Sequence, residues 1–396
     1  MVSERDIRLR NRISDAEFER RWQAVSQAME EPGLDFLICQ SCSDFLGGYV
    51  RWFTDLPSTI YPVTVIFSRD GEITTICHGP RPPAAPNPPL WTARGPKKRI
   101  SIPIVPTFAY TSTFDAEKVV GELAPHGQCR IGLVGIRFFS ATFHQYITSN
   151  LTAAKFEDAT DLVDNLMMLK SDEEIRLTRE TCDLQDAVFE YALTRIWPGR
   201  REYEVYADAM QKCLELGSSY ANIMISSAPP GSPAKHMLSL YANRMIEKGD
   251  QLVILIEANG LSGLFGEIFR HVCLGRVPSE LQEQFECAQQ AQKVILNLLK
   301  PGAEPSAIWD AHNEVLRQAG YAEETRLFAH GQGYNSIERP SLDHGETVKI
   351  KANMNIAVHP AVMSDKAYAQ VCENYIVTET GRAECLSKIP QKIYVL

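Results

Sequence analysis

The sequence predicts a two-domain protein, with an amino-terminal α/β domain over residues 1–165 and an α+β domain over residues 166–396. In the first part, short β-branched apolar runs alternate with amphipathic helical patterns. Beyond it, long helical patterns come in pairs, interleaved with apolar strands that carry acids. The stretch from His236 to Glu267 shows this most clearly. Gln251 to Ile256 (Q-L-V-I-L-I) reads as a buried strand behind a Gly249-Asp250 turn; it ends on Glu257, and a second run carries Glu267 and Arg270. Two carboxylates on adjoining extended segments of a core need a reason to be there, because burying an unpaired charge is costly.

Taken in order, Asp15 to Met29 places Phe18, Trp22, Val25 and Met29 at helical spacing. Leu34 to Cys39 reads as a strand. Tyr61 to Phe67 and Glu72 to His78 form a hairpin across Ser68-Arg-Asp-Gly71. Asp44 to Pro57 is dense in aromatic residues with one arginine, a composition that suits core, interface or a pocket wall. Pro80 to Pro96 carries seven prolines and reads as a loop. Cys129 to Val134 is a further strand and Asp158 to Met168 a helix. Ser171 and Glu174 then make a capping box for a helix running through Leu193 and stopping near Pro198-Gly199. Further helices are expected from Glu202 to about Leu216, from Ser279 to Leu299 before Lys300-Pro-Gly302, and from Ser306 to Ala319 before Gly320.

Composition limits the functions available. The 396 residues are 44% hydrophobic, enough for a large core, and the formal charge of −9 offers no electrostatic footprint for nucleic acid. The basic cluster Arg94-Gly-Pro-Lys-Lys-Arg99 reads as a solvated loop. No apolar run approaches the roughly 20 residues of a membrane span, and the charged start M-V-S-E-R-D-I-R-L-R has no apolar signal core. The expectation is a cytoplasmic protein acting on a small molecule, without nucleic-acid or membrane partners. Of ten cysteines only Cys39 and Cys42 have a metal-like spacing, and no second pair completes a zinc site, so they read as free buried thiols.

In the second domain the polar residues that merit suspicion are His236, Glu257, Glu267, His330, Glu338, His359, Cys372 and Glu373. His330 sits among glycines in Ala329-His-Gly-Gln-Gly-Tyr334, where backbone can approach a ligand closely. His359 lies on the apolar strand Ile356-Ala-Val-His-Pro360. One such histidine is usually a satisfied core residue; several at strand ends point to a site.

With these residues in place the chain resembles the pita-bread family of creatinase, prolidase, aminopeptidase P and methionine aminopeptidase. The resemblance covers most of the chain. It is carried by Lys235-His236, by Arg244-Met-Ile-Glu-Lys-Gly-Asp250 leading into the Glu257 strand, and by Gly263-Leu-Phe-Gly-Glu-Ile-Phe-Arg270. It continues in Lys300-Pro-Gly302, His330-Gly-Gln-Gly333 with Glu338-Arg-Pro340, and Val377-Thr-Glu-Thr-Gly381. It implies a pita-bread catalytic domain behind a creatinase-type α/β domain, and a homodimer in which the Tyr49 to Phe53 segment approaches the partner's pocket. Tyr49, Arg51 and Trp52 would then help bind substrate.

The departures from the family pattern set the functional expectation. The peptidases hold two metal ions with two aspartates, one histidine and two glutamates, and this chain keeps only His330 unchanged. Glu257 replaces the first aspartate, Glu267 follows at an interval one residue shorter than usual, and His359 replaces a glutamate. Counting back from Gly381 puts Cys372 at the last ligand position with Glu373 beside it, neighbours that face opposite sides of a strand. Ile337 stands where the peptidases place a second histidine.

The branch of creatinase and ectoine hydrolase dispenses with metal, and the expectation is a similar hydrolase of a C–N bond in a small non-peptide nitrogenous metabolite, with no cofactor. His236 would activate water, Glu267 and Glu257 would grip a cationic nitrogen, and His330 and His359 would orient the substrate or protonate the leaving group. Glu338, Arg339 and Glu373 are further candidates for binding substrate, and Arg339 or Arg51 could pair with a carboxylate. One divalent ion on Glu257, Glu267, His330, His359 or Cys372 is the alternative, suited to a lyase or decarboxylase. An Xaa-Pro dipeptidase and a non-catalytic binding protein are the remaining alternatives.

Overall fold

In the computed structural model, which describes residues 13–41, 48–57, 60–79, 94–236 and 243–396, the chain divides into two units, Met1–Met167 and Met168–Leu396. The first is built on a six-stranded sheet ordered β4-β3-β2-β1-β5-β6, with β1 Phe36–Ser41, β2 Val63–Ser68, β3 Ile73–His78, β4 Pro96–Ile102, β5 Arg130–Val134 and β6 Lys155–Asp158. The β1–β2 and β2–β3 pairs are antiparallel and the others parallel. Helix α1 (Asp15–Ala28) is N-capped by Ser14, whose Oγ accepts the Glu17 amide at 3.1 Å, and buries Phe18 and Val25. Helices α3 (Phe114–Leu123) and α4 (Ala141–Asn150) bury Val119, Phe143 and Ile147 against Ile38, Ile66 and Ile131 of the sheet. Helix α5 (Thr160–Met167) closes the unit.

One expectation changes here. The basic cluster expected in a loop contributes Pro96 to Arg99 to the edge strand β4, where Lys97 and Lys98 pair with Glu72 and Glu122 at 2.7 and 2.6 Å. The aromatic segment contains a short helix, α2 (Gly48–Thr54), all seven of whose residues are buried. Residues 42–47, with Cys42, and most of the proline-rich run lie outside the described residues.

In the second unit the predicted capping box opens α6 (Asp172–Leu193). Ser171 Oγ accepts the Glu174 amide at 3.1 Å, and Glu174 Oε2 accepts the Ser171 amide at 2.9 Å. Helix α7 (Glu202–Glu215) follows, then a four-stranded sheet ordered β17-β9-β8-β7, with β7 Ala221–Ala228, β8 Gln251–Asn259, β9 Phe265–Cys273 and β17 Ile393–Val395. Helices α8 (Ser279–Leu298) and α9 (Pro305–Gln318) precede a five-stranded sheet ordered β11-β10-β12-β15-β16. Its strands are β10 Ala329–Gly331, β11 Glu338–Ser341, β12 Asn355–Val358, β15 Glu373–Ile376 and β16 Glu384–Cys385. A two-stranded ribbon, β13 (Ala361–Met363) with β14 (Tyr368–Gln370), completes the unit.

Strand parity in the two sheets decides which side chains meet. Ile254 and Ile256 of β8 and Ile268 and Val272 of β9 pack with Val188 and Phe189 of α6 and Val205 of α7. Ile356 and Val358 of β12 and Tyr375 of β15 pack with Ile295 of α8 and Ile308 of α9. Each helix pair therefore covers one face of one sheet. The alternate residues, Glu257 and Glu267 on one sheet and His330, Asn355, His359 and Asn374 on the other, carry polar groups away from those cores. The sheets meet along β9 and β15, where the Glu267 amide donates to Asn374 Oδ1 at 2.7 Å and Phe269 bridges to Cys372.

Candidate metal centre

Strands β8 and β9 pair Glu257 directly opposite Glu267, so the two acids share one face of the sheet. Strands β10 and β12 pair antiparallel, which brings His330 and His359 together with ring centroids 5.1 Å apart. The result is a cluster in which one ligand atom each from Glu267, His330 and His359 lies within 4.8 Å of the other two, all three residues being buried. His330 Nδ1 bonds to the Gly331 carbonyl at 2.8 Å, which makes Nδ1 the protonated nitrogen and leaves the Nε2 lone pair 4.0 Å from Glu267 Oε2. Metal-ligating histidines typically show this arrangement, one nitrogen anchored on backbone and the other a bare acceptor.

His359 supplies the stronger observation. It is 6% exposed, and neither ring nitrogen has a hydrogen-bond partner. A buried imidazole without partners forfeits the hydrogen bonds that water would give it. A divalent cation satisfies such a nitrogen, and two imidazoles with one carboxylate suit zinc, iron or cobalt. The residues present therefore fit a metal ion.

The electrostatics agree. Burial pushes the His330 imidazole down to about 4 and holds His359 well below its ordinary value, helped in the latter by His330 and Arg326. Both rings are neutral near pH 7, as ligation requires. Burial, followed by the neighbouring Glu257 carboxylate, raises Glu267 above the usual carboxylate range, and burial raises Glu257 against the hydrogen bonds it accepts. Two buried carboxylates facing each other are thus short of positive charge.

The other sequence candidates in this unit are not members of the three-residue cluster. Glu257 stays beside the cluster, but its oxygens accept from Asn222 Nδ2 at 3.1 Å and Gln332 Nε2 at 3.3 Å. Cys372 faces the site, with Sγ 3.8 Å from the Glu267 carbonyl and its thiol held well above the ordinary value by burial. Glu373 turns the opposite way and pairs with Arg270 at 2.7 Å, and it also accepts from Gln292 of α8 and from Gln391. Glu338 pairs with Lys170 at 2.8 Å and Arg339 with Glu346 at 2.6 Å. In the first unit Tyr49 donates to Asp164 at 2.7 Å, Trp52 packs edge-on against Phe53, and Arg51 is buried on α2.

His236 lies in the same unit as the cluster and ends a second polar chain. Its Nε2 bonds to Gln370 Oε1 at 2.5 Å, Tyr368 donates to the same oxygen, and its ring stacks on Phe269 at 4.9 Å. Burial pushes its imidazole down to about 4. Residues 237–242 of the stretch that follows lie outside the described residues. Sequence reading passed over Arg326, whose Nη2 donates to the His359 carbonyl at 3.1 Å while Glu324 pairs with the same guanidinium. It also passed over the amides Asn222, Gln332 and Asn374. Asn222 is the cross-strand partner of Glu257, a position that becomes visible once β7 is paired with β8.

The profile of metallopeptidase family M24 matches residues 176–379, just over half of the chain. The chain belongs to metallopeptidase family M24. Among M24 relatives, a probable dipeptidase PepE of Mycobacterium tuberculosis is 27% identical over 241 residues, 60% of this chain and 63% of that protein, so the match spans less than two thirds of its length. A Xaa-Pro dipeptidase of Pyrococcus furiosus is 22% identical over 266 residues, 66% of this chain and 75% of that protein. The prolidase of Pyrococcus horikoshii superposes with a TM-score of 0.76 at 16% identity, over 94% of this chain and 99% of that one, and shows the shared pita-bread fold.

These findings correct the functional expectation. The expected hydrolase of a non-peptide C–N bond gives way, because the family is one of metallopeptidases and the named relatives are dipeptidases. The expectation of no cofactor also falls, because an M24 chain carries a buried set of metal-ligating side chains, one of them an imidazole without partners. Among the described residues no helix is long and apolar enough to cross a membrane.

Proposed function

We propose that this M24 protein hydrolyses the peptide bond of short peptides of the Xaa-Pro dipeptide class, with a divalent metal ion on Glu267, His330 and His359. The unpartnered, buried imidazole of His359 carries the reading, and the dipeptidase relatives supply the substrate class. When bound, such an ion supplies Lewis-acid polarisation of the scissile carbonyl and acidifies water. Hydrolysis puts the water oxygen on the carbonyl carbon and a proton on the departing nitrogen.

The side chains contribute orientation and charge. His330 and His359, kept neutral by burial, present lone pairs, and Glu267 supplies the one carboxylate of the set. Gln370 accepts from His236 Nε2–H and so leaves Nδ1 as an acceptor able to hold a proton or a substrate N–H. Arg326, anchored on the His359 carbonyl, offers a cation for the carboxylate of a short peptide. The polar chain through Tyr368 and Gln370 holds His236 against Phe269.

The test is direct. Protein stripped with chelator and reloaded with zinc, cobalt or manganese is offered Xaa-Pro dipeptides, Xaa-Ala dipeptides and longer peptides, and released amine is measured. Cleavage of Xaa-Pro dipeptides that disappears in chelator and returns with metal is expected. A metal-loaded, folded protein that cleaves no peptide overturns the proposal.

A further inference from the structure

We infer that the centre binds one divalent ion per chain, and that a network of side-chain amides holds Glu257 apart from the three ligands, so that a second site is not completed. The inference rests on the reading of Glu267, His330 and His359 as metal ligands and adds the stoichiometry and the class of ion. A second ion would need donors beyond those three, and the metal-ligating groups beside them are Glu257 and Cys372.

Neither joins the three: among the described residues, the group whose ligand atoms all lie within 4.8 Å of one another is Glu267, His330 and His359. Each Glu257 oxygen already accepts an amide N–H, one from Asn222 at 3.1 Å and one from Gln332 at 3.3 Å. The Gln332 amide is fixed in that orientation from both ends. Its Nε2 also donates to the Ser336 carbonyl at 3.0 Å, and its Oε1 accepts from Asn374 Nδ2 at 2.8 Å. Asn374 is fixed in turn, since Nδ2 reaches Asn355 Oδ1 at 3.2 Å and Oδ1 accepts the Glu267 amide at 2.7 Å. Turning the Gln332 amide over to release Glu257 would set oxygen against carboxylate and N–H against N–H. The Cys372 thiol is wholly buried and directed at the Glu267 carbonyl.

Charge leads to the same count. A second dication in this buried space would need further anions, and the neighbouring one, Glu257, is held by two amide donors outside the three-ligand cluster. The three remaining ligands are two imidazoles and one carboxylate. That set favours borderline ions such as zinc, iron or cobalt over magnesium or calcium, which take all-oxygen sites.

The experiment is zinc titration of the chelator-stripped full chain by calorimetry, with elemental analysis after dialysis and an Xaa-Pro dipeptide assay on the same samples. One zinc per chain, undisplaced by excess magnesium, is expected; two tightly held zinc ions per chain overturn the inference. His359→Ala should lose more than the 10- to 100-fold in zinc affinity that removal of an outer-shell partner typically costs, and retention equal to wild type overturns it. Zinc-edge X-ray absorption on the wild-type protein needs no variant: two imidazoles per zinc are expected, and fewer refute the ligand set. Gln332→Glu replaces the capping amide with a carboxylate and should admit a second zinc; a count that stays at one shows that the amide network is not what excludes it. Two ions with dipeptide cleavage would defeat this inference and leave the proposed function standing, whereas one ion with no peptide cleaved would do the reverse.

Discussion

Cys372 and Glu373 are neighbours at the start of one strand, and the direction each points separates chemistry from structure in this unit. Gapless counting from Gly381 reaches the pair but cannot choose between them, because the choice depends on which face of β15 meets β9. Glu373 goes with the helix-facing residues, where Arg270 pairs with it at 2.7 Å in a 1% and 2% exposed contact. Removing one partner of a buried pair leaves an uncompensated charge and typically costs about 3–5 kcal/mol. Glu373→Ala should therefore lower stability in urea by about that amount while turnover per folded molecule stays near wild type, and kinetics on the same preparation would expose any direct role in the site. His330, His359 and Glu267 were legible because imidazoles and carboxylates on apolar strands are unusual. Asn222, Gln332 and Asn374 were not, because a side-chain amide carries no motif and becomes informative only when its partner is known.

At the scale of elements, the glycines around His330 show how a correct signal can have a different cause. Their sequence suggests a backbone kept bare for a ligand. Instead β11 uses the space: a Cβ on Gly331 would collide with the Arg339 carbonyl, and one on Gly333 with the carboxylate of Glu338. Strand β10 shifts register against β11 between His330 and Gly331, so close packing at this point sets where the His330 ring is held. Gly331→Ala should push the strands apart, cost about 1–3 kcal/mol as overpacking usually does, and weaken zinc binding by displacing His330. Loss of stability with zinc affinity unchanged, measured by melting and calorimetry, would show that β10 does not position the ligand. The helices of the second unit were the most legible elements, since the Ser171 capping box and the 3.6-residue pattern are local signals, whereas α3 and α4 of the first unit were passed over. Helix α2 was missed because all seven of its residues are buried, which leaves no amphipathic period to read. The strand in Pro96–Ile102 was missed because lysines on an exposed edge resemble a loop until their partners Glu72 and Glu122 are known.

For the molecule as a whole, the polar interior of the second unit couples stability to pH in two opposing ways. Buried carboxylates such as Glu257 and Glu267, raised above their ordinary values, hold protons in the folded state at a pH where the unfolded chain has lost them. They favour folding more as pH falls and lose that contribution as pH rises through their folded values. Buried imidazoles act in reverse. His271 is 1% exposed, accepts the Gln370 amide at Nε2 at 3.0 Å, and is pushed by burial down to about 3. The unfolded chain takes up this proton near pH 6.5 and the folded chain does not, so the stability associated with neutral His271 is complete above that pH and declines as pH falls from about 6.5 toward 3. Summed over the molecule the two effects partly cancel, and an acid profile of the wild-type protein alone cannot separate them. His271→Gln isolates one, because the glutamine oxygen can still accept the Gln370 amide but does not titrate. Between pH 6 and pH 4 the variant's stability in urea should fall less steeply than that of wild type by about 1.4 kcal/mol per pH unit, the value of one proton, with the carboxylate contributions cancelling in the difference. Parallel acid limbs for the two proteins would show that His271 is protonated in the folded state as readily as in the unfolded one, and that the polar chain from His271 through Gln370 to His236 is not the dry, neutral array its burial implies.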